Sequence, residues 1–339
     1  MRPERQMTPE RIMQTAWAFA PPIVISAAVS RGIFDALDRA TLTAEELAGK
    51  TGSSTRGARA IADALAAFEL ATRDSSGRYS LAPDAAAFLV RGKAAFHGAY
   101  FEHITSDLIP KWLALDEVVR TGRPAMTVNT QEGGAEFFEQ FVESLFPLGY
   151  APARALAEAT VANISEPELP VLDLAAGSGV WGIALAQASP KVTVTAVDWE
   201  RVLSATRRTA QRMGVADRMR YIPGDIAAAD FGGGYAVATL GHILHSEGEE
   251  RSRALLKKVF AALRPGGTIA IAEFVANDDR TGPPHAIAFA VMMLVATEHG
   301  DVFSFAQMGA WLREVGFENI RTLEAPGPSP LLLADKPRV

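Results

Sequence analysis

The sequence predicts an α/β chain in which a mostly helical first half precedes a doubly wound, largely parallel sheet. Three observations predict it. Residues 171–182 read V-L-D-L-A-A-G-S-G-V-W-G, an apolar run, a small-residue turn and a helix start, the pattern of a buried strand turning tightly into a helix. From there to the C-terminus strand-like and helix-like segments alternate, as parallel crossover units require. Before residue 165 helical patterning dominates, with one short hairpin-like pair of runs.

In chain order, residues 8–38 read as two apolar helices broken at Pro21-Pro22, with Trp17, Phe19, Ile23, Ile25, Val29, Ile33, Phe34 and Leu37 over much of their surface. A pair this apolar must bury itself in its own core or against another subunit. Thr43-Ala-Glu-Glu46 is a capping box, and Gly52 stops the helix it opens. A second helix runs from Thr55 to Leu70, and Arg73–Leu81 reads as a hairpin turning on Asp74-Ser-Ser-Gly77. Helix, turn, helix, hairpin is the winged-helix pattern, which raises DNA binding as a rival function. Arg56 and Arg59 are offset by Asp63 and Glu69, and Arg73 and Arg78 by Asp74. The basic face that phosphate neutralisation needs is missing.

The Phe96–Trp112 segment is rich in flat side chains, Phe96, Tyr100, Phe101 and Trp112 with His97 and His103, suited to a helix core or to lining a flat acceptor. Glu132-Gly-Gly134 reads as a break, after which Phe137–Leu156 resumes as a helix bent at Pro147 and Pro152. The polar, proline-bearing stretch Ser165–Pro170 marks a boundary. This gives three regions: a winged-helix-like part at 1–95, a helical linker at 96–165 contributing to the substrate pocket, and the sheet domain at 166–339.

In the second half Val192–Val197 is a strand ending at Asp198, and Arg201–Met213 a helix stopped by Gly214. Met219–Ile222 is a strand ending at Gly224-Asp225, and Tyr235–Leu240 runs into Gly241-His-Ile-Leu-His245. Glu249–Leu263 is a helix, and Pro265-Gly-Gly267 turns into the strand Thr268–Phe274. An apolar helix lies within Thr281–Gly300, and a last helix spans Ser304–Val315. Two closing strands flank Pro326-Gly-Pro. The predicted sheet is Rossmann-like, with ligands expected at the carboxyl ends of its strands.

Composition narrows the function. The net charge of −6 argues against a nucleic-acid or anionic-membrane binder. With no cysteine there is no disulfide, thiolate metal site or cysteine nucleophile. Ile23–Val29 and Ala286–Thr297, the longest apolar stretches, are short of the roughly 20 residues of a membrane span. Acidic residues among Arg2, Arg5 and Arg11 speak against a signal peptide, so a cytoplasmic protein is expected.

Read literally, Gly177, Gly179 and Gly182 spell the dinucleotide fingerprint. The acids nearby change that reading. Asp173, Asp198 and Asp225 lie at or beside the ends of three successive strands. Carboxylates in those places suit a cationic methyl donor, at its amine, its ribose hydroxyls and its adenine N6. A nicotinamide site places no carboxylate beside the pyrophosphate, and a phosphate loop needs Gly-Lys-Ser/Thr where this chain has Gly-Val-Trp.

On the Asp-x-x-x-Gly-x-Gly turn, Val-Asp-Trp at 197–199, Gly-Asp at 224–225 and Arg-Pro-Gly-Gly at 264–267, the chain resembles the class I S-adenosylmethionine (SAM)-dependent methyltransferases. More narrowly it is similar to the small-molecule O-methyltransferases of bacterial natural-product, hydroxyneurosporene, acetylserotonin and plant phenylpropanoid type. The resemblance implies that the winged-helix-like start serves homodimer formation. It implies a cofactor site of Asp173, Ala175, Gly177, Gly179, Asp198, Trp199, Asp225, Ile226 and His242, with S-adenosylhomocysteine (SAH) as product. Ala175 and Ala176 stand where the family often has glycine.

The resemblance gives His245 the place of a general base and Glu273 that of its supporting acid; the second flanking acid of the family falls near Val302, where Glu298, with Asp301 close by, is the candidate. Ser246 stands where the family usually has aspartate. A neutral imidazole suits proton removal from a phenol, and a carboxylate behind it fixes the tautomer. Phe101, His103, Phe141, Phe289, Met292 and Met293 are the expected lining for a small, aromatic acceptor, methionines adapting well to flat ligands. Two rivals remain. His242, His245, His299, Glu298 and Asp301 could hold a divalent metal for C-methylation (or N-methylation) of an α-keto acid or related acceptor, though no ligand spacing is tight. The scaffold could also bind SAM for non-methylating chemistry.

Overall fold

The computed structural model describes residues 8–93, 95–128, 131–162 and 166–338. The expected boundary residue Ser165 and the N-terminal Arg2 and Arg5 lie outside these. The chain forms two compact units, divided after Pro110. The segment 96–165, expected as a separate linker, is therefore split between them.

The first unit is helical. Pro21 and Pro22 start a helix, Ala20–Ser30, rather than breaking one, because proline is tolerated in a first turn where its missing N–H has no partner to lose. Glu10–Ala16 precedes it and Ile33–Leu37 follows. Within Glu10–Ser30 an 18-residue window reaches a mean hydropathy of 1.5, by length and composition alone enough to cross a membrane, against the expectation drawn from its longest unbroken apolar run. The capping box forms as expected: the Thr43 hydroxyl accepts from the Glu46 N–H, and Glu46 accepts from the Thr43 N–H. Gly52 ends that helix at φ +62°. The strands β1 (Ala71–Arg73) and β2 (Tyr79–Leu81) pair antiparallel as the expected hairpin. A core of Phe34, Leu37, Leu47, Leu65 and Tyr79 closes the unit. Ile12, Met13, Trp17, Phe19 and Ile23 stay exposed.

The second unit is built on a seven-stranded sheet. Its strands include β3 (Leu169–Leu174), β4 (Val192–Asp198), β5 (Met219–Pro223), β6 (Tyr235–Gly241) and β7 (Leu263–Ala272). Outside the sheet a minor parallel pair forms between β8 (Val275–Ala276) and β9 (Phe303–Ser304). The last strands, β10 (Glu318–Leu323) and β11 (Leu331–Asp335), complete the large sheet in the order β10-β11-β7-β6-β3-β4-β5. The first five are parallel, and the closing hairpin lies antiparallel at one edge. Strand order reverses at β3, between β4 and β6, and a ligand crevice belongs at such a switch point. β3 is buried almost throughout, which is why it reads as a continuous apolar run rather than an alternating one.

Two expectations about helices fail. Gln131–Val161 is one helix, running through Gly133-Gly134, Pro147 and Pro152 without the expected break. Packing explains this: the helix lies along Val180–Ala188 and Glu200–Arg212, and burial there outweighs weak local propensity. The helix expected to begin at Glu249 begins at Leu244 and passes a non-helical Gly248 with φ +74° and ψ +175°. A Cβ at Gly248 would lie 2.5 Å from the His299 carbonyl oxygen, so this bend requires glycine.

Candidate active site

The turn after β3 adopts a backbone that few residues tolerate. Ala175, Gly177 and Gly179 all have positive φ, at +49°, +56° and +78°. A Cβ at Gly179 would sit 2.7 Å from Thr206 Cγ2. Ala175 alone pays the strain of a left-handed L-residue, a cost of order 1–3 kcal/mol that concentrates at functional sites. Gly182 is different. A Cβ there would lie 2.6 Å from Val194 Cγ1 and 2.9 Å from Asp173 Oδ2, so it lets the helix pack on the sheet.

The three acids do not share one role. Asp198, at the end of β4, accepts from the N–H of Gly177 at 2.9 Å and of Trp199 at 2.7 Å. Burial pushes its carboxyl up to about 6, opposed by those two hydrogen bonds. Asp225 follows β5, accepts from the Ala227 N–H at 2.7 Å, and stays partly exposed. Ile226 beside it is buried. Asp173, expected at the methionine amine, is engaged inside the fold. It is fully buried, and its oxygens accept from the Gly182 N–H at 3.0 Å and the Thr239 hydroxyl at 2.7 Å. Burial pushes its carboxyl up to about 7. It braces the turn from inside.

Trp199 packs with Val142, Phe138, Val202 and Ala205. The N-terminal end of the long helix covers it, Phe138 lying 6.3 Å away between ring centroids and a Cβ on Gly134 meeting the indole at 2.7 Å. Val142 of the same helix sits against Gly177. Nothing in the local sequence marks this cover.

His245 lies in the first turn of the helix after β6 and is buried. Its Nδ1 is 2.6 Å from Glu273 Oε2, while Glu273 Oε1 accepts from the Leu244 N–H at 2.6 Å and the His245 N–H at 3.2 Å. Burial alone would raise the Glu273 carboxyl, but the His245 and His242 imidazoles and these bonds hold it below the ordinary range. Glu273 is thus an acceptor toward Nδ1, which leaves the lone pair of His245 on Nε2. His242 has φ +60° and donates its N–H to the Ala272 carbonyl. The residue as a whole is exposed, and its ring lies 6.3 Å from that of His245. The desolvating surroundings push its imidazole below the ordinary value, Glu273 opposing and His245 assisting.

Aromatic rings wall this side of the site. Phe289 meets His245 edge-on at 4.8 Å and lies 4.1 Å from Phe274, which in turn is 5.2 Å from His242. Phe274 was not among the expected residues, although it directly follows Glu273 in sequence. Met292 accepts from the Trp112 indole N–H at 3.0 Å, while Met293 is buried. Phe141 is half-buried on the long helix. Phe101 and His103 belong to the first unit, where Phe101 packs on that unit's core and His103 lies 3.8 Å from Asp107. Glu298 does not join the His245–Glu273 pair. Its side chain is exposed and lies 4.0 Å from His299.

The metal arrangement also changes. Asp301 is paired with Arg280, and His299 is exposed, leaving His242, His245 and Glu273, whose ligand atoms lie within 4.8 Å of one another. The 2.6 Å His245–Glu273 separation is a hydrogen-bond distance, and Glu273's other oxygen already holds two N–H groups. The donor set fits a proton relay better than a coordination shell.

Comparison with known proteins identifies the family. Residues 112–318 match the O-methyltransferase domain model and residues 13–91 the O-methyltransferase dimerisation domain model. The chain is similar to 3-hydroxy-5-methyl-1-naphthoate 3-O-methyltransferase of Streptomyces sahachiroi, 30% identical over 310 residues that cover 90% of this chain and 88% of that one. Among solved structures it resembles a chain from Nostoc punctiforme assigned to the O-methyltransferases, 30% identical with a TM-score of 0.88 over 98% of this chain and 100% of that one. The fold of human N-acetylserotonin methyltransferase, solved with SAM, matches with a TM-score of 0.85 at 19% identity, over 99% of this chain and 100% of that one.

Proposed function

The chain belongs to the SAM-dependent O-methyltransferases, and from that premise we propose that it methylates a hydroxyl group of a small planar aromatic acceptor with His245 as general base. The observation that carries the reading is the His245 Nδ1–Glu273 Oε2 contact of 2.6 Å within a wall of Phe274 and Phe289. The residues fit the donor. Positive-φ Ala175, Gly177 and Gly179 bring backbone close to it, Asp198 meets the ribose, and Asp225 with Ile226 borders the adenine. SAM supplies a sulfonium methyl group open to displacement.

His245 Nε2 accepts the hydroxyl proton while the acceptor oxygen takes the methyl group, and the imidazolium so formed is stabilised by Glu273. Phe274 and Phe289 hold the ring of the acceptor. The naphthoate ring in the name of the Streptomyces sahachiroi relative supports a fused aromatic acceptor. Because a dimerisation domain matches residues 13–91 and Trp17, Phe19 and Ile23 are exposed, a cytoplasmic homodimer joined through these helices is part of the proposal.

The test is incubation with SAM and a panel of phenols, amines and α-keto acids, followed by SAH release and product mass. Phenol-dependent SAH with O-methylated product supports the reading. SAH release with keto acids alone, abolished by chelation, overturns it.

A further inference from the structure

The helix Leu244–Ala262 carries the base turn at one end and two cations that reach the nucleobase loop further along. Arg251 Nε is 2.5 Å from Glu247 Oε2, and its Nη2 is 3.8 Å from Asp225 Oδ1. Glu247 is 6% exposed in its side chain, two residues from His245. Its burial is tolerable because a cation faces it.

Seven residues on, and so on the same helix face, the Lys258 ammonium donates to the carbonyls of Ile226, Ala227 and Ala229 at 2.9, 2.8 and 2.9 Å. It also lies 4.3 Å from the Phe231 ring centroid. All three ammonium donors are spent on one loop. The loop starts at Asp225, whose backbone carbonyl accepts from Ala228 and Ala229.

We propose that Arg251 and Lys258 are positioning residues of the donor site. Lys258 fixes the 225–229 loop, and Arg251 orients Asp225 so that its free oxygen accepts from the exocyclic amine of a 6-aminopurine, tying purine recognition to the turn that carries His245. The inference rests on the assignment of Asp225 to the adenine. Neither cation touches the reacting atoms, so kcat at saturating SAM is spared while donor affinity and purine selectivity are not.

The experiment titrates SAH and S-inosylhomocysteine, which has an oxo group in place of the amine, into wild type, Lys258→Met, Arg251→Gln and Arg251→Lys. Wild type should prefer SAH. Lys258→Met and Arg251→Gln should bind SAH about tenfold more weakly and the inosyl analogue almost unchanged. Arg251→Lys, which keeps the charge, should recover most of the loss. Arg251→Lys keeps a cation against the buried Glu247, so it holds the fold even if Lys258→Met and Arg251→Gln do not. Equal weakening for both ligands, or no change in either, overturns the proposal. A wild type that binds both ligands alike overturns instead the placement of Asp225 at the amine, and one that binds neither overturns the donor-site reading.

Discussion

Glu273 holds His245 by side chain and backbone at once: Oε2 meets Nδ1 at 2.6 Å, and Oε1 accepts the His245 N–H at 3.2 Å. One carboxylate therefore sets both the tautomer of the imidazole and the position of the turn that presents it. His245→Ala should keep SAH affinity and lower kcat by about 10²–10⁴, the range of a lost acid–base group. Glu273→Gln places an amide donor against Nδ1, drives the proton to Nε2, and should lower kcat comparably. Titration calorimetry with steady-state rates checks both, and a fully active variant would refute the assignment.

Asp198 gives a pH dependence of known sign. Its carboxyl is raised from 3.8 to about 6, and ribose hydroxyls donate to the ionised form. SAH affinity should therefore rise as pH goes from 5 through 6 to 7.5, then level off. A flat profile in Kd over this range counts against Asp198 as the ribose acceptor.

Asp173 predicts a stability effect of opposite sense from that of a surface acid. A carboxyl raised from 3.8 to about 7 by burial keeps its proton in the folded state after the unfolded chain has lost it. Folding is thus weakened as pH rises from about 4 towards 7. Asp173→Asn should still satisfy Gly182 and Thr239, flatten that trend in Tm against pH, and bind SAH within about threefold of wild type, a change under 1 kcal/mol. A large loss of SAH affinity without loss of Tm would return Asp173 to the amine.

Glu298, exposed beside His299, should be dispensable. Glu298→Ala is expected to leave kcat/KM within about twofold, as for surface substitutions generally. A hundredfold loss would show that the loop carries it to His245 during turnover.

Gly182→Ala should destabilise the protein by about 1–3 kcal/mol, the usual cost of overpacking, because the new methyl meets Val194 at 2.6 Å. Denaturant unfolding measures this. SAH affinity of the folded fraction should be unchanged, since the residue serves packing.

Much of the fold was legible because it rests on local patterning. The apolar run at Val171–Leu174, the glycines at 177 and 179, and the capping box at Thr43 each act within a few residues. The helix through Gly133-Gly134 and the two prolines was illegible, since local propensity argues against it and distant burial decides it. Within the site, the turn and its acids could be read, as could the spacing of His245 and Glu273. Phe274, the Phe138 cover on Trp199 and the Arg251–Glu247–Asp225 chain could not.

The sequence by itself determined which chemistry is present: a glycine turn, acids at strand ends, and a histidine 28 positions before a glutamate. The tertiary structure decided what each group faces. It turned Asp173 inward to Thr239 and Gly182, left Glu298 at the surface, and brought Glu273 onto His245. The physical reason is that residue type fixes charge and donor capacity, while direction and burial depend on β6 and β7 lying side by side, a pairing between segments far apart in the chain.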